Sequence, residues 1–396
     1  MTQGVRFHSI DITKGLLILL MLFVKDLYIP GLLPWISEPS SGSVGKELAG
    51  GVFPAFLFMF GMTIPFAISE KINENLSSYD IIRHIFSRTI ILLVIGILMV
   101  NTTRVNPELT GFGKNIWSLL MFIAVFLAWN RYHEKENNFF TIIGLRFLGL
   151  AALVFIVFKF RSGTFENGGS LITGWWEIPG LAGWGLLVSA LTFLALRNSI
   201  FGTLLIWLVF LGLNILSQLM LLEFLNPIRP YLGVILDGYF PVIFLSGHLA
   251  GLVLKKFSST EYRKVFLSLL FMSLLMIVTG YSLREWIFTT GVSGNPGIAL
   301  VCCGLTLIIF ILIYWVADVR KNDRWFNFLK PAGENSFTTY IAPNIIYYLL
   351  LISGLPVFFY HNSANIFLNV LGSALWAIIM VFLISVLVRL NIKLKI

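Results

Sequence analysis

Charged residues are scarce in this sequence. Asp, Glu, Lys and Arg make up 12% of its 396 residues, about half of the ~25% usual in soluble domains. A water-facing surface cannot be built from so few charges, so a soluble globular protein is excluded. The mean hydropathy of +0.88 and the 57% apolar share exclude a disordered chain as well. There are two cysteines, Cys302 and Cys303. They are adjacent in an apolar stretch, and neighbours on a helix point apart. A disulfide scaffold and a structural zinc site are therefore not expected; the pair reads as small packing residues. The five histidines (His8, His84, His133, His248 and His361) are scattered, and no metal site is expected. The motifs G-x-x-x-x-G-K-[ST], G-x-G-x-x-G and G-x-S-x-G are missing too. Their lack disfavours an ATP-driven pump, a Rossmann enzyme and an α/β hydrolase.

Apolar sequence is abundant instead. A helix needs about 20 mostly apolar residues to cross a ~30 Å hydrocarbon core. Twelve stretches qualify, with approximate cores at 15–32, 51–69, 86–101, 116–130, 140–158, 181–196, 200–222, 232–254, 265–284, 297–318, 335–353 and 367–388. Runs such as Ile90 to Val100 do not alternate as the strands of a β-barrel would. The expected fold is all-α: a polytopic transmembrane helical bundle of about 12 spans, with residues 1–396 as a single integral membrane domain. The first stretch follows Arg6 and Lys14, as in a signal peptide. It is long, is interrupted by Lys25 and Asp26 and lacks a small-x-small cleavage site, so an uncleaved span is expected. The +9 net charge is accounted for by topology rather than by nucleic acid. With the N-terminus in the cytoplasm, 19 of the 28 Lys and Arg fall in inner loops, 7 in outer loops and 2 within spans. Both termini are thus expected to be cytoplasmic, in a multi-pass protein of the inner (cytoplasmic) membrane whose first partner is lipid.

Trp35, Trp117, Trp129, Trp184, Trp286 and Trp315 lie near span ends and read as an interface belt. Residues 71–85 are polar and then amphipathic, and read as lying on the inner surface. No internal repeat is visible, so a transporter with repeated halves gets no direct support. Three spans carry helix breakers. The second has Gly50, Gly51, Pro54, Gly61 and Pro65; the eighth has Gly238, Pro241, Gly247 and Gly251; the eleventh has Pro343. Either these helices line a cavity, or they only kink and pack closely.

Ionisable groups inside a span are costly and mark functional candidates. Lys25 and Asp26 fall in the outer part of the first span, Glu38 in the first outer loop and Asp237 near the outer end of the eighth span. They read as a polar outer mouth with Lys25 paired to Glu38 or Asp237, or as side chains that snorkel to water. His248 is either a base or cofactor contact, or a hydrogen-bonded packing residue. Arg146 lies about two turns into the fifth span, where it meets an anionic ligand or snorkels to lipid phosphate. Asn335, Ser336, Thr338, Thr339, Tyr340 and Asn344 make the eleventh span polar, so it is expected to face the bundle.

Several motifs carry a family resemblance. The N-terminal one runs Arg6-Phe7-His8-Ser9-Ile10-Asp11-Ile12-Thr13-Lys14-Gly15, then Leu20 to Asp26, then Val52-Phe53-Pro54-Ala55-Phe56-Leu57-Phe58 and Gly61. Later ones are Trp175-Trp176-Glu177-Ile178, Gly180-Leu181, Gly183-Trp184, and Lys330-Pro331-Ala332-Gly333 with Thr338, Thr339 and Tyr340. Together they span most of the chain. The pattern resembles the heparan-alpha-glucosaminide N-acetyltransferase family, in its bacterial branch of unknown function. The resemblance implies a membrane-embedded acyltransferase. Acetyl-CoA would enter as co-substrate from the cytoplasm, and an amino sugar or envelope glycan would be acetylated at the outer face. Cofactor-binding candidates are then Arg83, Arg88, Arg146, His248 and Asn335; catalytic candidates are Lys25, Glu38, Asp26 and Asp237. Lys25 stands where the family has Asn, Glu38 where it has an essential His, and Gly50 where it has Asp. A buried Glu can act as base and a Lys can stabilise an oxyanion; equally, the two can simply pair. The alternatives are a small-solute or sugar transporter and a catalytically inactive scaffold or partner subunit. The acceptor, the acyl group, a homo-oligomer and a membrane-protein partner are left open by the sequence.

Overall fold

Backbone N–H and C=O groups in lipid must be satisfied within their own segment, which selects helices. A computed structural model describes residues 7–27, 48–132, 139–164, 167–174, 176–257, 261–286, 294–362 and 365–394. The long helices are α1 (His8–Asp26), α2 (Leu48–Asn73), α3 (Ser78–Asn101), α5 (Lys114–Trp129), α6 (Phe139–Lys159), α7 (Glu177–Leu196), α8 (Ile200–Gln218), α10 (Tyr239–Phe257), α11 (Tyr262–Trp286), α12 (Pro296–Tyr314), α14 (Ser336–Ser353) and α15 (Ile366–Arg389). Short helices α4 (Pro107–Thr110), α9 (Arg229–Leu236) and α13 (Lys330–Glu334) connect them. A two-residue ladder pairs Ser162–Gly163 (β1) with Gly168–Gly169 (β2). Among the described residues ten helices are long and apolar enough to cross a membrane. The chain is therefore an all-α protein of the multi-pass membrane type. Two of the twelve expected spans fall short of that measure: α1 carries Asp11, Lys14, Lys25 and Asp26, and α5 has only 16 residues.

Composition sorts the helices into centre and periphery. α6, α8, α11 and α15 are apolar on all sides and mostly exposed, with Phe140, Phe147 and Phe158 on α6 standing 86%, 73% and 73% clear of the protein. That suits a lipid-facing surface. The central helices carry small residues that let backbones touch. A methyl on Gly247 of α10 would overlap the Phe58 carbonyl of α2, and one on Gly61 would overlap the Phe244 carbonyl. At the α1–α13 contact, Gly333 lies against the Asp11 carbonyl and Gly15 against that of Leu329.

The end that holds the C-terminus of α1 is called the outer end below. At the opposite, inner end the Asp318 carboxylate accepts from the free N–H groups of His8 and Ser9 at 2.9 and 3.0 Å, an acid placed at a helix N-terminus. Lys255 also donates there to Ser69 and Asn198.

Three expectations are corrected. Trp117 is no interface residue: it is fully buried, and its indole donates to the Ile156 carbonyl. Residues 71–85 are not a separate segment lying on the surface, although 73–80 are exposed. α2 runs to Asn73, and α3 starts at Ser78 with Ser77 as its cap, because the Ser77 hydroxyl accepts from the Asp80 N–H. The eighth span is not one helix. Gly238, at φ +68°, separates α9 from α10, and Asn214 Nδ2 donates to the freed Asp237 carbonyl. By contrast α2 and α14 run unbroken through Pro54, Pro65 and Pro343.

Candidate functional site

The outer end of α1 presents Lys25 and Asp26 in succession, so the two side chains point about 100° apart around the helix and enter different surroundings. Lys25 is exposed at a polar mouth; Asp26 is buried, with 6% of its surface accessible. Lys25 Nζ donates to Asn344 Oδ1 at 3.0 Å and lies 5.2 Å from the centre of the Tyr340 ring, a cation–π distance. The amide is held in that orientation because Asn344 Nδ2 donates to the carbonyls of Tyr340 and Ile341. The Tyr340 hydroxyl in turn donates to Glu177 Oε2 at 3.1 Å. Helices α1, α14 and α7 thus converge on one ammonium group.

Glu177 reaches this position through strained backbone. Trp176 and Glu177 have φ of 72° and 52°, a left-handed conformation that costs about 1–3 kcal/mol per residue when it is not glycine. Strain of this kind is retained where the surroundings over-determine it, and here it sets the carboxylate at the start of α7 beside Tyr340.

Asp26 joins a second group, supplied by the 3₁₀ turn Pro356–Asn362. The Tyr360 hydroxyl donates to Asp26 Oδ2 at 2.7 Å, and His361 Nε2 lies 3.4 Å from Oδ1. Burial, and then the bond to and charge of Asp26, push the Tyr360 hydroxyl well above the ordinary tyrosine range, so it stays a donor. The His361 ring stacks on Phe358, with centroids 5.3 Å apart and planes at 11°. Nε2 faces the carboxylate without a hydrogen bond to it, and a small approach of the ring would give the pairing in which a carboxylate orients an imidazole.

Asp237 is not part of this mouth, and its pairing with Lys25 is corrected. Its carboxylate, at the α9–α10 junction, accepts from Ser217 of α8 at 3.0 Å and lies 3.3 Å from Arg229 Nε. Arg229 is simply nearer in the chain and on the adjoining helix. Glu38 lies outside the described residues.

On the inner side a cavity of about 90 Å³ opens between α2, α3, α7 and α14, room for about three waters. It is lined by Phe60 and Lys71, by His84 and Arg88, by Leu186 and by Phe337. Two of the three breaker-rich helices, α2 and α14, line it; α10 does not. Arg88 is therefore the one residue among the cofactor candidates at the cavity wall. Arg83 is exposed on α3 and is not part of the lining. Arg146 sits on peripheral α6, its guanidinium 5.9 Å from the centre of the Tyr132 ring. The Asn335 amide donates to the Pro331 carbonyl, closing the bend between α13 and α14. His248 is fully buried against Phe193, and among the described residues neither ring nitrogen has a hydrogen-bond partner. It is thus not the hydrogen-bonded packing residue that one reading expected.

Glu177, Asn344, Tyr360 and His361 were not selected as candidates from sequence. Glu177 and Tyr340 do lie in motifs quoted for the resemblance, which was the available signal; nothing local marks His361. No curated protein matches the chain. A family model described as a domain of unknown function (DUF5009) matches residues 6–174, a stretch that carries Lys25, Asp26 and Arg88 and ends just before Glu177.

Proposed function

We propose that the chain is a membrane-embedded acyltransferase that carries an acetyl group from acetyl-CoA at the inner face to an amino sugar or envelope glycan at the outer face. The observation behind this reading is the spacing of the two sites. Phe337 lines the cationic inner cavity, and Tyr340, three residues on along α14, belongs to the Lys25 cluster. Those three residues of α14 rise about 5 Å, and along α7 the nine from Leu186 to Glu177 rise about 14 Å, so the two sites lie roughly 5–14 Å apart along the bundle. A thioester on a flexible arm can bridge a gap of that size while its phosphates stay on the inner side. The inner cavity suits one phosphate group rather than a whole nucleotide, with Lys71 and Arg88 as its counter-charges.

The outer cluster would supply the chemistry. The acceptor amine adds to the thioester carbon, and His361 Nδ1 takes the amine proton once its ring has closed on Asp26. The oxyanion of the tetrahedral intermediate is stabilised by the Lys25 ammonium, itself aimed by Asn344. Collapse breaks the carbon–sulfur bond, and coenzyme A leaves as the thiol once its sulfur is protonated. Asp237 has no part in this scheme, since Arg229 neutralises it. Twelve crossings, cytoplasmic termini and a place in the inner membrane belong to the same proposal, and the bias of Lys and Arg between the two ends supports them.

The test is release of free thiol from acetyl-CoA by the purified chain in detergent with glucosamine as acceptor. Release is expected, with losses of roughly 10²–10⁴ in rate for His361→Gln and about 10²–10³ for Lys25→Met. Neither release nor acetyl-CoA binding by the wild-type chain would overturn the reading. Uptake of labelled sugar into vesicles by that silent protein would favour a transporter in its place.

A further inference from the structure

A second cavity lies away from the residues of the Lys25 mouth. It has a volume of about 450 Å³ and opens at the outer end of α8 and α9, within the range of small-ligand sites. Its wall includes Ser217, Glu223, Asn226, Arg229 and Asp237. Arg229 and Asp237 pair with each other and with Ser217. That leaves Arg229 Nη1, the Glu223 carboxylate and the Asn226 amide without hydrogen-bond partners among the described residues. One guanidinium faces two carboxylates, so the pocket carries a net negative charge. It prefers a cationic group, while Nη1 and the amide remain as donors for an anionic oxygen beside it.

The chain next to the lining points to what carries that cation. Leu221, Phe224 and Tyr231 stand 61%, 74% and 66% exposed on either side of Glu223 and Arg229. Leu219 and Ile228 add to the same apolar border, and the adjoining face of α8 is exposed and apolar through Leu205, Leu208 and Val209. A polar pocket at a helix end whose chain neighbours are large, apolar and exposed suits the depth where lipid headgroups meet acyl chains. A water-borne ligand would need no such border.

We infer that this pocket binds the headgroup of an aminophospholipid from the leaflet at the outer end. Its primary ammonium would meet Glu223, its phosphate would meet Arg229 Nη1 and Asn226, and its acyl chains would lie against α8. The inference does not depend on acetyl transfer. Thr173 donates to the carbonyl of Pro230 in the pocket wall at 2.5 Å. Thr173 is four residues before Glu177 in the chain, so the segment that leads into α7 is tied to this wall.

Native mass spectrometry of the full chain, exchanged into micelles with equal amounts of phosphatidylethanolamine, phosphatidylcholine and phosphatidylglycerol, tests it. Phosphatidylethanolamine should be retained at least fivefold over the other two. Phosphatidylcholine has a quaternary ammonium without N–H donors, and phosphatidylglycerol has no ammonium. Glu223→Gln, an exposed substitution that leaves the Arg229–Asp237 pair in place, should abolish that preference with the melting temperature unchanged in the absence of lipid. Equal retention of all three lipids, or an undiminished preference in Glu223→Gln, would overturn the proposal. So would free phosphoethanolamine raising the melting temperature as much as the lipid does, since that would identify a soluble amine as the ligand.

Discussion

A buried carboxylate needs partners, and Asp26 takes its one hydrogen bond, at Oδ2, from a side chain at the far end of the chain, with His361 Nε2 near Oδ1 but not bonded to it. Tyr360 contributes that bond, 2.7 Å, from a hydroxyl whose acidity burial and Asp26 both suppress. Removing that hydroxyl would leave Asp26 with His361 alone at 3.4 Å. Tyr360→Phe should therefore cost about 1–3 kcal/mol of stability, the penalty for an under-bonded buried group, read as an earlier midpoint in denaturant. Tyr231→Phe, an exposed phenol at the same end of the bundle, should move the midpoint by less than about 0.5 kcal/mol. Equal midpoints for Tyr360→Phe and wild type would mean that the carboxylate is satisfied by water instead. Lys25 and Asp26 were legible as candidates because a charge inside an apolar run stands out. Their partners were not legible. Asn344 was marked only as one polar residue of a span expected to face the bundle, and Tyr360 and His361 were not marked; all three lie more than 300 positions away, and only tertiary contact gives them a role.

Among the helices, the closest packing falls where the sequence placed glycines in otherwise apolar runs. Gly247 and Gly251 form a small-residue edge on α10, and Phe58 and Met62 of α2 lie directly on it. Both helices belong to the buried centre, so neither can shift towards lipid to make room. Gly247→Leu should drive them apart and cost more than about 3 kcal/mol, the high end for overpacked cores, whereas Gly212→Leu on lipid-facing α8, where nothing lies near the missing side chain, should be nearly silent. Fluorescence-detected size-exclusion after a heating series would compare them. A Gly247→Leu chain as heat-resistant as wild type would contradict the packing described. Helix breakers were a mixed guide. Gly238 does end a helix, because its positive φ and the nearby Phe210 carbonyl exclude a side chain. Pro54, Pro65 and Pro343 instead lie inside unbroken helices, since neighbouring groups in a packed bundle can satisfy the carbonyls that they free, and Pro241 falls in the first turn of α10.

At the scale of the whole molecule, apolar runs marked nearly every helix, but length and charge leave two crossings to be established. The 16 residues of α5 span about 24 Å, short of a ~30 Å core unless the bilayer thins around it. α1 is long enough at 19 residues, but four charged side chains lie along it. If both cross, loops must alternate sides all along the chain. Single cysteines in a background with Cys302 and Cys303 replaced would read this out. Glu108→Cys should react with a membrane-impermeant maleimide in intact cells. His8→Cys, Glu74→Cys and Arg131→Cys should react only after permeabilisation. All four positions carry exposed residues, so a silent site would report sidedness rather than burial. If α5 does not cross, Glu108→Cys and Arg131→Cys label together. If α1 does not cross, His8→Cys labels opposite to Glu74→Cys, because α2 alone then separates them. That second result would also move Lys25 away from the end assigned to it and withdraw the ammonium group on which the outer chemistry depends.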